Sequence, residues 1–325
     1  MSFFANKKTA TVAFNLRPRR GPYGGGNQWA AQLSSYLRRC GYRVVYRLDE
    51  SVDLVMGTHA GLNGPLEFTY EEVVATKKRN PRLRCIQRIN DNDARKGTGG
   101  MDAHLAEANA AANHTVFVSS WLRDHHASRW FDAARPHSVI INGADPAVFH
   151  PFGNKPWQPG ETFRIVTHHW SDNPSKGFDV YAEIDRCIAA GRFPGVELWI
   201  IGRWPSDIRW QSALTFGACA GMKLADLLRQ CHAAVSASRY EPGAMHPVEA
   251  LQCGLPLLYH AETGGTVELG EKFGVLLESD PVSAMDKLRD QYSSLRARLL
   301  ADGPAGDKMC LAYRQLIQTL LATRP

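Results

Sequence analysis

Short apolar runs alternate with stretches that carry apolar residues at helical spacing, and this constrains the chain more than any other feature. Thr9–Leu16 is rich in β-branched and aromatic residues and reads as a strand. A glycine-rich loop follows, and then Asn27–Arg39 places Trp29, Leu33, Tyr36 and Leu37 near helical spacing. Tyr42–Tyr46, Leu54–Gly57, Cys85–Ile89, Thr115–Val118 and Ser138–Ile141 read as further buried strands, with helices expected over Gly100–Ala112 and Ser120–Trp130. Residues His150–Glu161, HPFGNKPWQPGE, break the pattern with three prolines and two glycines and suit a linker. The alternation then restarts. Strands are expected at Phe163–Thr167, Glu197–Ile201, Ala233–Ala237 and Pro256–Tyr259, and helices at Phe178–Ala190, Lys223–Gln230 and His246–Gln252. Val282–Thr323 is mostly helical by pattern.

Strands alternating with helices imply parallel sheets covered on both faces. The 325 residues suit two such units. The expected architecture is therefore α/β, with two doubly wound domains, residues 1–152 and 153–325, facing a central cleft. In such sheets ligands sit beyond the carboxyl ends of the strands.

Composition removes several classes. With 44% hydrophobic and 22% charged residues the chain is neither disordered nor fibrous. Its apolar runs, such as Val196–Gly202, are far shorter than the roughly 20 residues of a membrane span. Met1–Thr11 has no apolar run of signal-peptide length. Seven scattered cysteines without a C-x-x-C pair read as reduced thiols of a cytoplasmic protein. The net charge of +6 suits anionic ligands such as phosphates, and no nucleic-acid partner is expected. The run Lys77-Lys78-Arg79, with Arg82 and Arg84, reads as a solvated face. A peripheral contact with the inner membrane surface is its second reading.

Three segments could carry chemistry, and each also has an ordinary structural reading. Gly21-Pro-Tyr-Gly-Gly-Gly-Asn-Gln-Trp29 joins the first strand to the first helix. There, glycines permit close backbone approach and the helix N-terminus suits an anion. It lacks the Gly-Lys-Ser/Thr of a P-loop, and Trp29 stands where a dinucleotide fingerprint needs its last glycine. Otherwise it is a flexible turn. Glu241-Pro-Gly-Ala-Met-His-Pro-Val-Glu249 follows a strand and runs into a helix. Its two carboxylates could accept hydroxyl groups of a sugar at one end and a ribose at the other. Otherwise they are a capping acid and a surface acid. Ser175-Lys176-Gly177 and Arg203 follow neighbouring strands, where two cations could hold a diphosphate; each alone is an ordinary surface charge. No zinc-type cysteine or histidine spacing and no G-x-S-x-G elbow is present.

Together these elements resemble the family 4 retaining glycosyltransferases of the GT-B fold, the glycosyl transferases of group 1. The resemblance rests on Glu241-x7-Glu249 with Ala250, Cys253-Gly254-Leu255-Pro256, Gly264-Gly265 and Lys176-Gly177. It extends to Asn142-Gly143-Ala144-Asp145 with Phe149 and Pro151, and to Val116–Arg123 in the first half. It implies two Rossmann-like domains with a metal-independent hexosyl transfer. The substrate would be a UDP- or GDP-sugar, with no further cofactor, and the acceptor a hydroxyl of a glycan, a lipid-linked glycan or a small molecule. It places Glu241 by the donor sugar and Glu249 at the ribose. Lys176 would meet the diphosphate, and Gly243, Ala244 and Met245 the sugar and phosphate. Phe216 and Gly217 would border the nucleobase, and Gly25 and Gly26 would close over the phosphates. It also implies that the helical C-terminus packs back on the first domain.

The sequence departs from that family at three places. Trp170 stands where an Arg is usual, so Arg203 or His169 is the expected replacement cation. Gly243 stands where an aromatic residue is usual. The first-domain loop Arg88–Arg95 lacks the usual histidine, which leaves Asn90 and Asp91 to hydrogen-bond sugar or acceptor. Asp91-Asn92-Asp93 also matches the Asp-x-Asp pattern that holds a divalent cation in the other common glycosyltransferase fold. Such short matches are frequent in polar loops and would leave the second domain without a role, so no metal site is expected. A nucleotide-sugar epimerase and a non-catalytic nucleotide-sugar or glycan binder are the alternatives.

Overall fold

A computed structural model describes residues 9–19, 24–59, 65–95, 97–278 and 280–323. The first half contains β1 (Thr11–Phe14), α1 (Gly24–Arg39), β2 (Arg43–Val45), β3 (Leu54–Gly57) and α2 (Tyr70–Arg79). It continues with β4 (Arg84–Ile89), α3 (Met101–Asn109), β5 (His114–Phe117), α4 (Ser120–Ala127) and β6 (His137–Val139). The strands pair in parallel in the order β2-β1-β3-β4-β5-β6. The second half contains β7 (Phe163–His169), α5 (Phe178–Ala189), β8 (Val196–Gly202), β9 (Leu214–Phe216), α6 (Met222–Leu228) and β10 (Ala233–Ser236). It continues with α7 (Met245–Gln252), β11 (Leu257–His260), α8 (Val267–Phe273) and β12 (Gly274–Leu277). These strands also pair in parallel, in the order β12-β11-β10-β7-β8-β9. The chain ends in α9 (Pro281–Asp302) and α10 (Gly306–Ala322). The doubly wound α/β expectation is met in both halves. Every residue of β1, β3 and β10 is buried, as continuous apolar runs between two helical layers require.

The two C-terminal helices have different destinations. Asp280 caps α9 by accepting from the amides of Val282 and Ser283. Met285, Leu288, Tyr292 and Leu295 of that helix join the core around Phe163 and Ile165. Met309, Cys310, Tyr313 and Ile317 of α10 instead share a core with Val12, Phe14, Trp29 and Leu33 of the first half.

Four elements were not anticipated from the sequence: α2, β9, α8 and β12. Helix α2 starts at a capping box, in which Thr69 and Glu72 satisfy each other's backbone amides. Its basic end is only partly a solvated face. Lys77 Nζ donates to the Ala111 carbonyl at 2.7 Å and to Asn113 Oδ1 at 2.8 Å. Arg79 pairs with Glu50 at 3.4 Å, and Arg84 reaches the Thr323 carbonyl at 3.1 Å.

Each sheet reverses its winding direction once, between β1 and β3 and between β7 and β10. A crevice opens outside the carboxyl ends of the strands at such a reversal. His168 and His169 close β7, and the loop bearing Glu241 follows β10. The fold therefore brings these segments to one crevice, and the N-terminus of α1 faces it from the first half.

Candidate active site at the interdomain cleft

The crevice is a cavity of about 310 Å³, within the range of small-molecule sites. It is lined from the first half by Gly24–Gly26, Gln28, Arg88, Asn90, Arg95 and Asn142. From the second half it is lined by the ends of β7 and β8, the segment Ser175–Lys176, and Glu241–His246 with Glu249.

Lys176 is held by its local backbone. Asn173 Oδ1 accepts from the Ser175 amide at 2.9 Å and starts a short 3₁₀ turn, Pro174–Lys176. Gly177 ends it with φ +80°, where a Cβ would lie 2.2 Å from the Ala237 carbonyl oxygen. Only glycine permits this approach, so the lysine loop is pressed against the end of β10. From there Lys176 Nζ donates to Glu241 Oε1.

Glu241 is 4% exposed. Its second oxygen, Oε2, lies 3.3 Å from Arg95 Nε, and Arg95 Nη1 lies 3.6 Å from Asp91. Burial opposes ionisation of this carboxyl, but Arg95 and Lys176 outweigh it and hold its pKa down at about 2. Glu241 is thus a buried carboxylate with one cation from each half of the chain. The preceding residue, Tyr240, has φ +54° although it is not glycine. Asn92 Nδ2 donates to its carbonyl from the first half at 3.2 Å. Such conformations concentrate at functional loops.

Glu249 faces the same cavity from α7. His168 Nε2 lies 2.8 Å from Oε2, and Gln28 Nε2 donates to Oε1 at 3.2 Å across the cleft. Two further histidines are neutral. His246 Nε2 lies 2.8 Å from Ser236 Oγ, and His169 Nε2 lies 3.0 Å from both Thr167 Oγ1 and Tyr181 Oη. Burial first, and neighbouring cationic and imidazole groups second, push both well below the usual histidine range.

Gly243 brings the halves together. A Cβ there would lie 2.9 Å from Val118 Cγ2 and 3.1 Å from the Val118 carbonyl. Asn142 Nδ2 donates to the Gly243 carbonyl at 2.8 Å, and Ser119 Oγ to that of Pro242 at 2.5 Å. An aromatic side chain would not fit at this contact, which gives a physical reason for the glycine.

Of the residues anticipated from the sequence, Gly25, Gly26, Asn90, Lys176, Glu241, Gly243, Ala244, Met245 and Glu249 line the cavity together. Residues 21–23 of the glycine-rich loop lie outside the described residues. Asp91 is buried, paired with Arg95 and off the lining. Arg203 is off the lining too, with its guanidinium 5.2 Å above the Trp170 ring. Phe216 and Gly217 border a separate hollow with Lys223 and Leu227, and Phe216 packs on Trp199 with ring centroids 4.7 Å apart. The neutral, hydrogen-bonded His169 is not a cation. Sequence reasoning missed Arg95, His168, His246, Gln28 and Asn142. Arg95 closes the very loop singled out for Asn90 and Asp91, and Gln28, Asn142 and His246 lie inside other segments already singled out.

The Asp-x-Asp segment is committed elsewhere. Asp93 accepts from the amides of Met101 and Asp102 at 2.9 and 3.1 Å and so caps α3, while Asp91 faces Arg95. Asp102, His125 and His126 bring potential metal-ligand atoms within 4.8 Å of one another. Yet Trp130 Nε1 donates to His126 Nδ1 at 2.8 Å, so His126 Nε2 carries the proton that faces the Asp91 carbonyl at 3.1 Å. Both nitrogens of His126 are spent, and Arg129 lies 3.8 Å from Asp102. The donor set does not suit a cation.

Residues 214–294 match the family described as "Glycosyl transferases group 1". The fold is similar to a sucrose-phosphate synthase from Thermosynechococcus elongatus, with TM-score 0.68 and 14% identity, over 97% of this chain and 100% of that one. A glycosyltransferase from Rickettsia africae gives TM-score 0.68 at 12% identity, again over 97% and 100%. This chain resembles the group 1 glycosyl transferases of the GT-B fold. The catalytic domain of starch synthase IV from Arabidopsis thaliana, bound to ADP and acarbose, gives TM-score 0.63 at 10% identity, over 97% of this chain and 99% of that one. The sequence matches no curated protein. In this GT-B chain the family match spans β9 to α9 and so takes in Glu241 and Glu249.

Proposed function

We propose that this protein is a retaining glycosyltransferase that moves a hexosyl group from a UDP- or GDP-sugar to an acceptor hydroxyl. The observation that carries the reading is the convergence of Glu241, Glu249 and Lys176 on one cavity at the reversal point of the second sheet. The family match and the GT-B neighbours support sugar transfer, and starch synthase IV binds ADP and acarbose.

In this reading Glu249, held by His168 and Gln28, accepts hydrogen bonds from the ribose hydroxyls. The diphosphate lies against Lys176 and the amides of Gly243–Met245, with Gly25 and Gly26 above it. Glu241, ionised throughout the physiological range, sits by the sugar and favours an oxocarbenium-like transition state. The bond from the anomeric carbon to the phosphate oxygen breaks, and a bond to the acceptor oxygen forms on the same face. The acceptor's proton passes to the departing phosphate oxygen, which leaves as the nucleoside diphosphate. His169 and His246 each engage Nε2 in an internal hydrogen bond, and the departing phosphate oxygen rather than either of them serves as the base. The acceptor approaches from the first half, past Asn90. Lys176 and the loop amides supply the charge for the diphosphate, so no metal step is invoked. Among the described residues no helix is long and apolar enough to cross a membrane, and the seven cysteines are free, which suits a cytoplasmic setting.

The test is thermal stability against UDP, GDP, ADP and their common sugars, followed by nucleotide release with mixed hydroxyl acceptors. A ligand at 100 times its dissociation constant stabilises the native state by about 2.7 kcal/mol. If no nucleotide shifts the melt and none is released from any sugar donor, the reading fails.

A further inference from the structure

Three cationic side chains line the cavity among the described residues: Arg88, Arg95 and Lys176. Arg88 is 1% exposed, with its guanidinium donating to Asn142 Oδ1 at 2.9 Å and lying 4.8 Å over the Trp29 ring. It is a fixed part of the first domain. Lys176 and Arg95 differ, because both sit on Glu241, with Asp91 also beside Arg95. Lys176 holds Glu241 Oε1 from the second half, and Arg95 Nε lies 3.3 Å from Oε2 from the first. Two cations that share one carboxylate in one cavity form a ready receptor for a second anion. The second half supplies the cavity lining with Lys176 as its only described cation, since Arg203 is turned onto Trp170.

We propose that Arg95 is the second diphosphate-binding cation of this enzyme, delivered across the cleft from the first domain. This rests on the nucleotide-sugar reading above. Glu241 and Glu249 mark the two ends of the ligand, the sugar end and the ribose end. Arg95 and Lys176 both stand at the Glu241 end, so they meet the distal phosphate, the one that bears the sugar. When the diphosphate enters, it replaces Glu241 as the anion these two cations share. Glu241 is then free to accept hydrogen bonds from the sugar. The guanidinium suits the task because it presents a planar fork of donors that matches phosphate oxygens, which a single ammonium cannot do. Asp91, 3.6 Å from Arg95 Nη1, keeps the side chain over the cleft while it changes partners. The distal phosphate, held by one cation from each half, also ties the two halves together.

The test is titration calorimetry of wild type, R95Q and R95K with UDP, GDP and ADP and the matching monophosphates. Wild type should bind one diphosphate more tightly than its monophosphate. R95Q should weaken that diphosphate about tenfold or more and leave the monophosphate within about twofold, since only the distal phosphate meets residue 95. R95K, which keeps the charge and removes the fork, should fall between them, and it serves as the readout if R95Q does not fold. Equal diphosphate affinity in wild type and the variants, or equal losses for diphosphate and monophosphate, overturns the assignment of Arg95 while leaving the transferase reading intact. A wild-type protein that binds no diphosphate overturns both.

Discussion

The imidazole of His168, at the end of β7, lies 2.8 Å from the Glu249 carboxylate on α7. The His168 Nε2 is thereby placed at hydrogen-bond distance from one oxygen of Glu249. The second oxygen of Glu249 takes a bond from Gln28 on α1. Three separate elements thus fix one carboxylate in the wall of the cavity. A hydrogen bond to a charged group is worth about 1.5–3 kcal/mol. Glu249→Ala should therefore weaken a nucleoside diphosphate by about tenfold or more, measured by calorimetry. An unchanged dissociation constant would take Glu249 away from the ribose.

Glu241 is expected to matter for both turnover and folding. Glu241→Gln keeps the shape and removes the charge, so turnover should drop by about 10²-fold, the scale of one preorganised electrostatic group. Glu241→Ala leaves Lys176 and Arg95 without their shared anion, and unfolding in urea should show a loss of about 3 kcal/mol. Wild-type turnover in Glu241→Gln is the result that removes it from the chemistry.

Gly243→Ala tests the contact between the halves. The added methyl meets Val118 Cγ2 at 2.9 Å, and overpacking of this kind costs about 1–3 kcal/mol. Val118→Ala added to it should recover part of the loss, because it removes the side-chain half of the clash and leaves the backbone half. Independent, additive effects of the two substitutions would show that the loop does not press on Val118.

Stability should fall on mild acidification. Burial pushes His59 and His126 down to about 4, and holds His169 and His246 well below the usual histidine range. The unfolded chain protonates histidine near pH 6.5, whereas His59 and His126 in the folded chain stay neutral until about pH 4. Between these values the unfolded state binds more protons, so stability rises with pH and is lost as pH falls through the window. His59 and His126 should each remove about 2 kcal/mol between pH 7 and pH 5. Glu241, with its pKa near 2, stays ionised there in the folded state and adds only slightly to the slope, with the same sign. Urea unfolding at the two pH values gives the slope, and His126→Gln should flatten it. Equal stability at both would refute the buried neutral histidines.

Much of the architecture could be read from local pattern. Continuous apolar runs such as Leu54–Gly57 become buried parallel strands because a two-sided sheet leaves them no wet face. The elements not anticipated carried weak patterns. β9 is a three-residue edge strand with little burial, and α2 owes its start to the Thr69–Glu72 cap, inside a run that reads as surface charge.

By itself the sequence determined the double α/β winding, the loops that carry Lys176 and Glu241, and the position of Glu249 on its helix. Each of these depends on residues close together in the chain. Tertiary structure alone decided that Arg95 reaches Glu241, that Arg203 turns onto Trp170, that Asp93 caps α3, and that His168 and Gln28 hold Glu249. An arginine bound for a buried carboxylate and one bound for solvent look the same in a polar loop. What separates them is the partner across the cleft, which only the packing of the two halves supplies.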